Sequence, residues 1–121
     1  MFKIVYLTTE FAIGPQPSID DLDAIRAAGF ASLLNLRPDD EQGEYLRSQE
    51  AKAGANAAGL TYAHSPAENH ALFETETIDQ FEHALMALPS PIFSHCKTGT
   101  RTAILWALVA ARHRNVEVVI T

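Results

Sequence analysis

A chain of 121 residues with 47% apolar and 20% charged side chains has the length and balance of one globular domain, with little room for a second core. Its net charge of −6, from 15 acidic against 9 basic side chains, excludes the broad basic face that neutralises nucleic-acid phosphates. No apolar run approaches the roughly 20 residues that span a bilayer, and Glu10 follows the first apolar run too closely for a secretory signal, so neither nucleic acid nor membrane is expected as a partner. The single cysteine allows no internal disulfide and no C-x-x-C pair, which fits a reducing compartment, and the cytoplasm is the expected location.

Residues 2–7 are β-branched and aromatic and predict a strand, with 11–13 as a short partner. Gly14-Pro15-Gln16-Pro17 ends that partner, because proline has no N–H to give a ladder. Ser18 has the character of a helix N-cap, and Asp20, Asp21 and Asp23 follow in the first turns, where negative charge suits the helix dipole. Ile19, Leu22 and Ile25 form a helical stripe that Gly29 stops. Residues 30–36 predict a buried strand and 37–41 a polar exit loop. Residues 44–58 are alanine-rich with few β-branched side chains and predict a helix, weakened by Gly54 and ended by Gly59. A short strand at 60–64 leads into a loop at 65–73 that carries Glu68, Asn69 and His70. Residues 77–88 place Ile78, Phe81, Leu85 and Leu88 on one helical face, and Pro89 and Pro91 break it. A strand at 92–95 runs straight into Cys96. Residues 102–112 are apolar almost all round, as in a helix buried on most sides. Residues 116–120 read equally as a strand or as the start of a shortened helix. The β-α-β rhythm predicts an α/β fold: one domain over residues 1–121, with a mainly parallel central sheet of four to five strands and helices on both faces.

Ligands of open α/β sheets bind at the carboxyl ends of the strands, and Cys96 stands at such an end, between a predicted strand and a predicted helix. Lys97, Thr98, Gly99 and Thr100 form a tight anion-binding loop whose backbone N–H groups can turn inward as a nest, and the following helix adds its positive end. Arg101 supplies a forked guanidinium that matches an oxyanion at two points. The same groups favour the thiolate of Cys96. Thr102 is within reach to donate a hydroxyl hydrogen bond to the sulfur, and His95 to fix the loop through its ring nitrogens. A lone cysteine is ordinarily a small buried hydrophobe. Against that stand the strand-to-helix junction, a glycine three residues on and an arginine five residues on, so Cys96 is read as a nucleophile.

Arg37 leaves the 30–36 strand at the same edge, where its plain reading is an ion pair with Asp39, Asp40 or Glu41. The five histidines show no H-x-x-x-H or H-E-x-x-H spacing, and neither metal nor cofactor is expected. His83 and His113 read as solvated helix positions and Trp106 as core. Asp20, Asp21 and Asp23 read as helix-start charge, since the glycine and terminal glutamate of an EF-hand are missing.

Residues 95–102, H-C-K-T-G-T-R-T, resemble the H-C-R-[ST]-G-[TN]-R-[ST] loop of the bacterial beta-lactamase-hydrolase-like, phosphatase-like domain family. Gly14-Pro15-Gln16-Pro17-Ser18, Ala28-Gly29-Phe30, Leu34-Asn35-Leu36-Arg37-Pro38-Asp39-Asp40-Glu41 and Gly59-Leu60-Thr61-Tyr62 resemble further landmarks of that family, so the resemblance covers residues 11–112. It implies the fold of dual-specificity protein tyrosine phosphatases and a structural or anion-facing Arg37. It leaves two chemistries open. Tyrosine phosphatases carry H-C-x-x-G-x-x-R-[ST], one residue longer between cysteine and arginine, whereas rhodanese-type sulfurtransferases carry C-[RK]-x-G-x-R, the length found here. The shorter ring offers fewer inward N–H groups and suits the outer sulfur of a persulfide better than the three oxygens of a phosphoryl group. Such phosphatases also protonate the leaving oxygen with an upstream aspartate. Residues 64–70 contain none, and Glu68 or His70 would have to serve, Glu68 otherwise being a solvated loop carboxylate.

The favoured expectation is therefore a sulfurtransferase. Cys96 takes a sulfane sulfur from a small anionic donor such as thiosulfate or a low-molecular-weight persulfide, and Arg101 and Lys97 draw the donor in. The sulfur then passes to a nucleophilic acceptor, which the fusion of relatives to metallo-beta-lactamase-like sulfur enzymes allows to be a protein. The alternative is hydrolysis of a phosphate ester through a cysteinyl-phosphate, with Glu68 as acid and Thr102 helping to release the thiolate. A second alternative is a weakly active domain that binds phosphate or sulfate, or senses redox state through Cys96.

Overall fold

Five short strands, each bounded by turn residues, set the frame. The computed structural model describes the backbone of residues 2–120 and the side chains of residues 2–113. The strands are β1 (Val5–Tyr6), β2 (Phe11–Gly14), β3 (Ser32–Asn35), β4 (Thr61–His64) and β5 (Ile92–His95). The helices are α1 (Ile19–Ala27), α2 (Ser48–Ala58), α3 (Thr75–Ala87) and α4 (Thr100–Ile120). One sheet forms in the order β1-β2-β5-β3-β4, parallel throughout except for β1, which pairs antiparallel with β2. This is the expected mainly parallel α/β sheet.

Alternation along β5, the middle strand, divides the core in two. Phe93 points to one face, where it packs with Leu33, Phe30 and Leu60 against Leu22 and Ile25 of α1 and Ala55 of α2. Ile92 joins Phe11, Ile13 and Leu34 on the other face, beneath Phe81 of α3 and Leu105 and Val109 of α4. Helices thus cover both faces. Trp106 stacks on Phe11 with ring centroids 6.3 Å apart, as the core reading of Trp106 requires. At the start of α1, the Ser18 hydroxyl accepts the Asp21 N–H at 3.2 Å and the Asp21 carboxylate accepts the Ser18 N–H at 2.9 Å, a reciprocal cap.

Several element bounds differ from the sequence reading. The first strand shrinks to two residues, because the N–H groups of Leu7 and Thr8 both turn onto the Phe11 carbonyl and reverse the chain. Helix α2 starts at Ser48 rather than at 44, since residues 37–47 are held in a strap by side-chain bonds to its own carbonyls. Helix α4 begins at Thr100, two residues early, and runs on through 116–120 as helix rather than strand. Among the described residues no helix is long and apolar enough to cross a membrane. The parallel register aligns Gly14, Asn35 and His95, with His64 beside Asn35, so four strands end at one edge.

Candidate active site

Cys96 leaves the end of β5 and is only 1% exposed. Its Sγ accepts the Gly99 N–H at 3.2 Å, which closes the loop over the sulfur. Gly99 has φ of +98°, and a Cβ there would stand 3.3 Å from the Gly14 carbonyl oxygen, so this turn calls for glycine. The Gln16 N–H bonds the Lys97 carbonyl at 3.1 Å, and the Thr98 and Thr100 hydroxyls meet at 3.0 Å. The loop is thereby tied both to the chain after β2 and to itself.

The expected Thr102–sulfur hydrogen bond is not formed. The Thr102 hydroxyl donates to Ser94 Oγ at 2.6 Å instead, because the early start of α4 turns residue 102 back onto β5. His95 does bear on the loop: its Nδ1 lies 3.2 Å from the Cys96 carbonyl oxygen. Its Nε2 is buried without a hydrogen-bond partner among the described residues. Burial pushes the His95 imidazole down to about 4 from an ordinary 6.5, and the positive charges of Arg37 and Arg101 push the same way. The folded protein therefore holds His95 neutral while the unfolded chain binds a proton between about 4 and 6.5, so stability is lost as pH falls through that window. The expected slope from this group is at most about 1.4 kcal/mol per pH unit. Urea melts of wild type and His95→Gln across that range test it: a variant with the wild-type slope shows that His95 is not the source.

Arg101 lies in the first turn of α4, with a side chain 5% exposed. Its Nη1 and Nη2 donate to the two carboxylate oxygens of Glu41, with Nη2 at 3.0 Å, and Nη1 also donates to the Ala67 carbonyl at 2.9 Å. The Arg101 hydrogen bonds hold the Glu41 carboxyl below its ordinary 4.5, against the burial that raises it. Burial tends to lower the pKa of the Arg101 guanidinium, but hydrogen bonds to Glu41 and to the neighbouring Cys96 sulfur raise it overall. Arg37 Nε donates to the same Glu41 carboxylate at 3.1 Å, so the ion pair expected of Arg37 exists.

Arg37, Glu41, Glu68, His70, Lys97 and Arg101 line one cleft of about 360 Å³, with polar groups and the apolar stems of these side chains sharing its wall. The structure thus brings Lys97, the arginine and both acid candidates to one cleft, whereas Thr98, Gly99 and Thr100 line another, beside Gly14 and Ile104. The sequence names Glu41 only as a neighbour of Arg37 and misses it as the partner of Arg101, sixty positions away; the acidic run after Arg37 is the one signal that points there. The Ala67 carbonyl leaves no signal in a side-chain pattern. Elsewhere, His64 Nε2 bonds the Arg37 carbonyl at 2.8 Å, His83 is exposed, and His113, exposed as expected, pairs with Glu82 at 2.7 Å.

Residues 3–113 match the family described as beta-lactamase hydrolase-like protein, phosphatase-like domain. The chain belongs to this family. A beta-lactamase hydrolase-like protein of Agrobacterium fabrum is 34% identical over 106 residues, and one from Xylella fastidiosa matches to the same extent. Those residues are 88% of this chain and 24% of either relative, so the phosphatase-like domain spans about a quarter of the length of the curated relatives it matches. A candidate phosphatase from Neisseria meningitidis superimposes with a TM-score of 0.81 at 26% identity, covering 89% of this chain and 76% of that one. The core catalytic domain of a PP-IP phosphatase from S. cerevisiae shares the fold, with a TM-score of 0.60 at 22% identity over 84% of this chain and 61% of that one. The fold is protein tyrosine phosphatase-like, as the loop and its flanking landmarks imply.

Proposed function

We propose that this phosphatase-like domain hydrolyses a small phosphate ester through Cys96, and that hydrolysis rather than sulfur transfer is its main chemistry. The observation that carries the reading is the shared cleft: Glu68 and His70 line the same space as Lys97 and Arg101, the residues that open and follow the loop after Cys96. A nucleophile, an anion clamp and a proton donor are what a cysteinyl-phosphate route needs. The phosphatase names carried by structural relatives support the same class.

In this route the Cys96 thiolate attacks phosphorus and the ester P–O bond breaks. Glu68 gives its proton to the leaving oxygen. Water then attacks phosphorus, the P–S bond breaks and a proton of the water passes to Glu68, releasing inorganic phosphate and the thiolate. Lys97 and Arg101 offset the phosphoryl charge. Thr102, turned to Ser94, supports the base of the loop and not the sulfur. Among the described residues no Phe, Tyr or Trp side chain lines the cleft, which favours small polar esters over aryl ones.

One observation favours the second reading. Only four residues separate Cys96 from Arg101, and a single loop N–H, that of Gly99, meets the sulfur. A persulfide needs no more than that, with a small anionic donor and a nucleophilic acceptor as co-substrates. Phosphate release from a panel of aliphatic and aryl phosphate esters, with mass spectrometry for a phosphoryl group on Cys96, tests the first reading. Thiosulfate followed by cyanide tests the second. Thiocyanate formation with no phosphate release from any ester overturns the hydrolytic proposal.

A further inference from the structure

The hydrogen-bond inventory of Arg101 is unusually informative. A guanidinium has five N–H donors: two on Nη1, two on Nη2 and one on Nε. Glu41 and the Ala67 carbonyl take both donors of Nη1, and Glu41 takes one of Nη2. The two that remain, Nε–H and the second N–H of Nη2, have no oxygen or nitrogen acceptor among the described residues, and the Cys96 sulfur is the group's other hydrogen-bond partner. They lie parallel on one edge of the planar group. That edge is a two-point fork for an oxyanion.

Glu41 itself is firmly placed. Its Oε1 accepts Arg37 Nε at 3.1 Å, and Arg37 Nη2 is in turn held by the Gln42 carbonyl at 3.1 Å. The Tyr45 ring is sandwiched between the guanidinium groups of Arg37 at 3.4 Å and Arg47 at 3.7 Å. The Tyr45 hydroxyl accepts the Glu41 N–H at 3.1 Å and donates to the Pro38 carbonyl at 2.6 Å. Arg47 clasps the strap from outside through the carbonyls of Asp39, Glu41, Gly43 and Tyr45. A loop tied at this many points does not swing freely.

We propose that Glu41 is a positioning residue: the strap of residues 37–47 presses its carboxylate against the end of the Arg101 guanidinium, which aims the two remaining donors on the side edge at Cys96 and at an oxyanion bound there. The inference rests on the reading of Cys96 and Arg101 as the reacting centre. The rival arrangement makes the Glu41 carboxylate a stand-in for the ligand that the ligand must displace. The two differ in sign, because removing a stand-in tightens anion binding and removing a positioning group loosens it.

Titration with inorganic sulfate, an unreactive tetrahedral oxyanion, reads that sign. Glu41→Gln is expected to weaken sulfate binding roughly ten- to hundredfold, the scale of one charge-assisted pair. Glu41→Asp keeps the charge but withdraws it, and is expected to fall between wild type and Glu41→Gln. In an Arg101→Lys background, where no fork exists to be aimed, Glu41→Gln is expected to add no further loss. An equal loss in both backgrounds would show a general structural role and overturn the proposal, as would unchanged or tighter binding by Glu41→Gln. Thermal melts confirm that each variant is folded, and Glu41→Asp carries the test if the glutamine variant is not. Sulfate does not react, so wild type that binds sulfate yet releases no phosphate from esters overturns the hydrolytic reading and leaves Glu41 in place. Wild type that binds no sulfate overturns both.

Discussion

Cys96→Ser is expected to lower phosphate-ester turnover by roughly 10⁴-fold or more while leaving the protein folded. Losses of this size follow the removal of a nucleophile whose partners act as a unit with it. A serine hydroxyl is a far poorer nucleophile than a thiolate at neutral pH, and nothing in the loop provides a base to activate it. The Gly99 N–H that now bonds Sγ at 3.2 Å can bond a serine oxygen in the same place, so the fold loses little, about 1 kcal/mol or less. The contrast between the two readouts makes the test specific. Turnover that survives the substitution would remove Cys96 from the chemistry, and a collapsed melt would show that Cys96 serves the core.

Phe93→Ala is the second large effect, and it acts on stability. Phe93 is fully buried at the centre of the middle strand. Its ring meets Phe2 and Phe30 edge-on, with centroids 5.6 and 5.8 Å away. Gly14 has no side chain for a related reason: a Cβ there would come within 2.7 Å of the Phe93 ring and 2.6 Å of the Lys3 carbonyl oxygen. Truncation leaves a cavity bounded by three elements that the sheet holds apart, so relaxation is limited. The expected loss is about 3–5 kcal/mol. Against a total stability of about 5–15 kcal/mol for a small domain, that is a large fraction. Urea unfolding measures it as a fall in midpoint at constant slope. A loss under about 1 kcal/mol would show that the α1–α2 face closes over the gap.

The sequence carried the site unevenly, for identifiable reasons. Strand β5 has the expected bounds, since Pro91 limits it on one side and the loop begins at Cys96 on the other. The loop at Cys96 was legible because its parts are neighbours in the chain: sulfur, glycine turn and arginine lie within six positions. Thr102 was assigned to the wrong partner because its aim depends on where α4 begins. A shift of two residues rotates a helical side chain by about half a turn, and the hydroxyl meets Ser94 instead. Glu41 was the hardest to see in its full role. Its bond to Arg37 is local, four positions apart, and was open to inspection, whereas its bond to Arg101 exists only once β3 and β5 lie side by side. The strap hid the start of α2 for the same reason, since Tyr45 and Arg47 bind carbonyls of residues 38–43 and not the turn of a helix.

The burial of the two arginines has an electrical consequence. Dissolved ions damp only those charges they can approach, over about 8 Å at physiological ionic strength. Arg37 and Arg101 are 4% and 5% exposed, and their shared Glu41 side chain is 19% exposed, whereas Lys97 stands in solvent. On the proposed reading, the pull that brings an anion to the cleft therefore belongs largely to Lys97 and is expected to fade in concentrated salt. On the same reading, the grip that holds it at the sulfur belongs to Arg101, whose side chain is largely withdrawn from solvent. Capture and retention are thus assigned to different cations and answer to different surroundings.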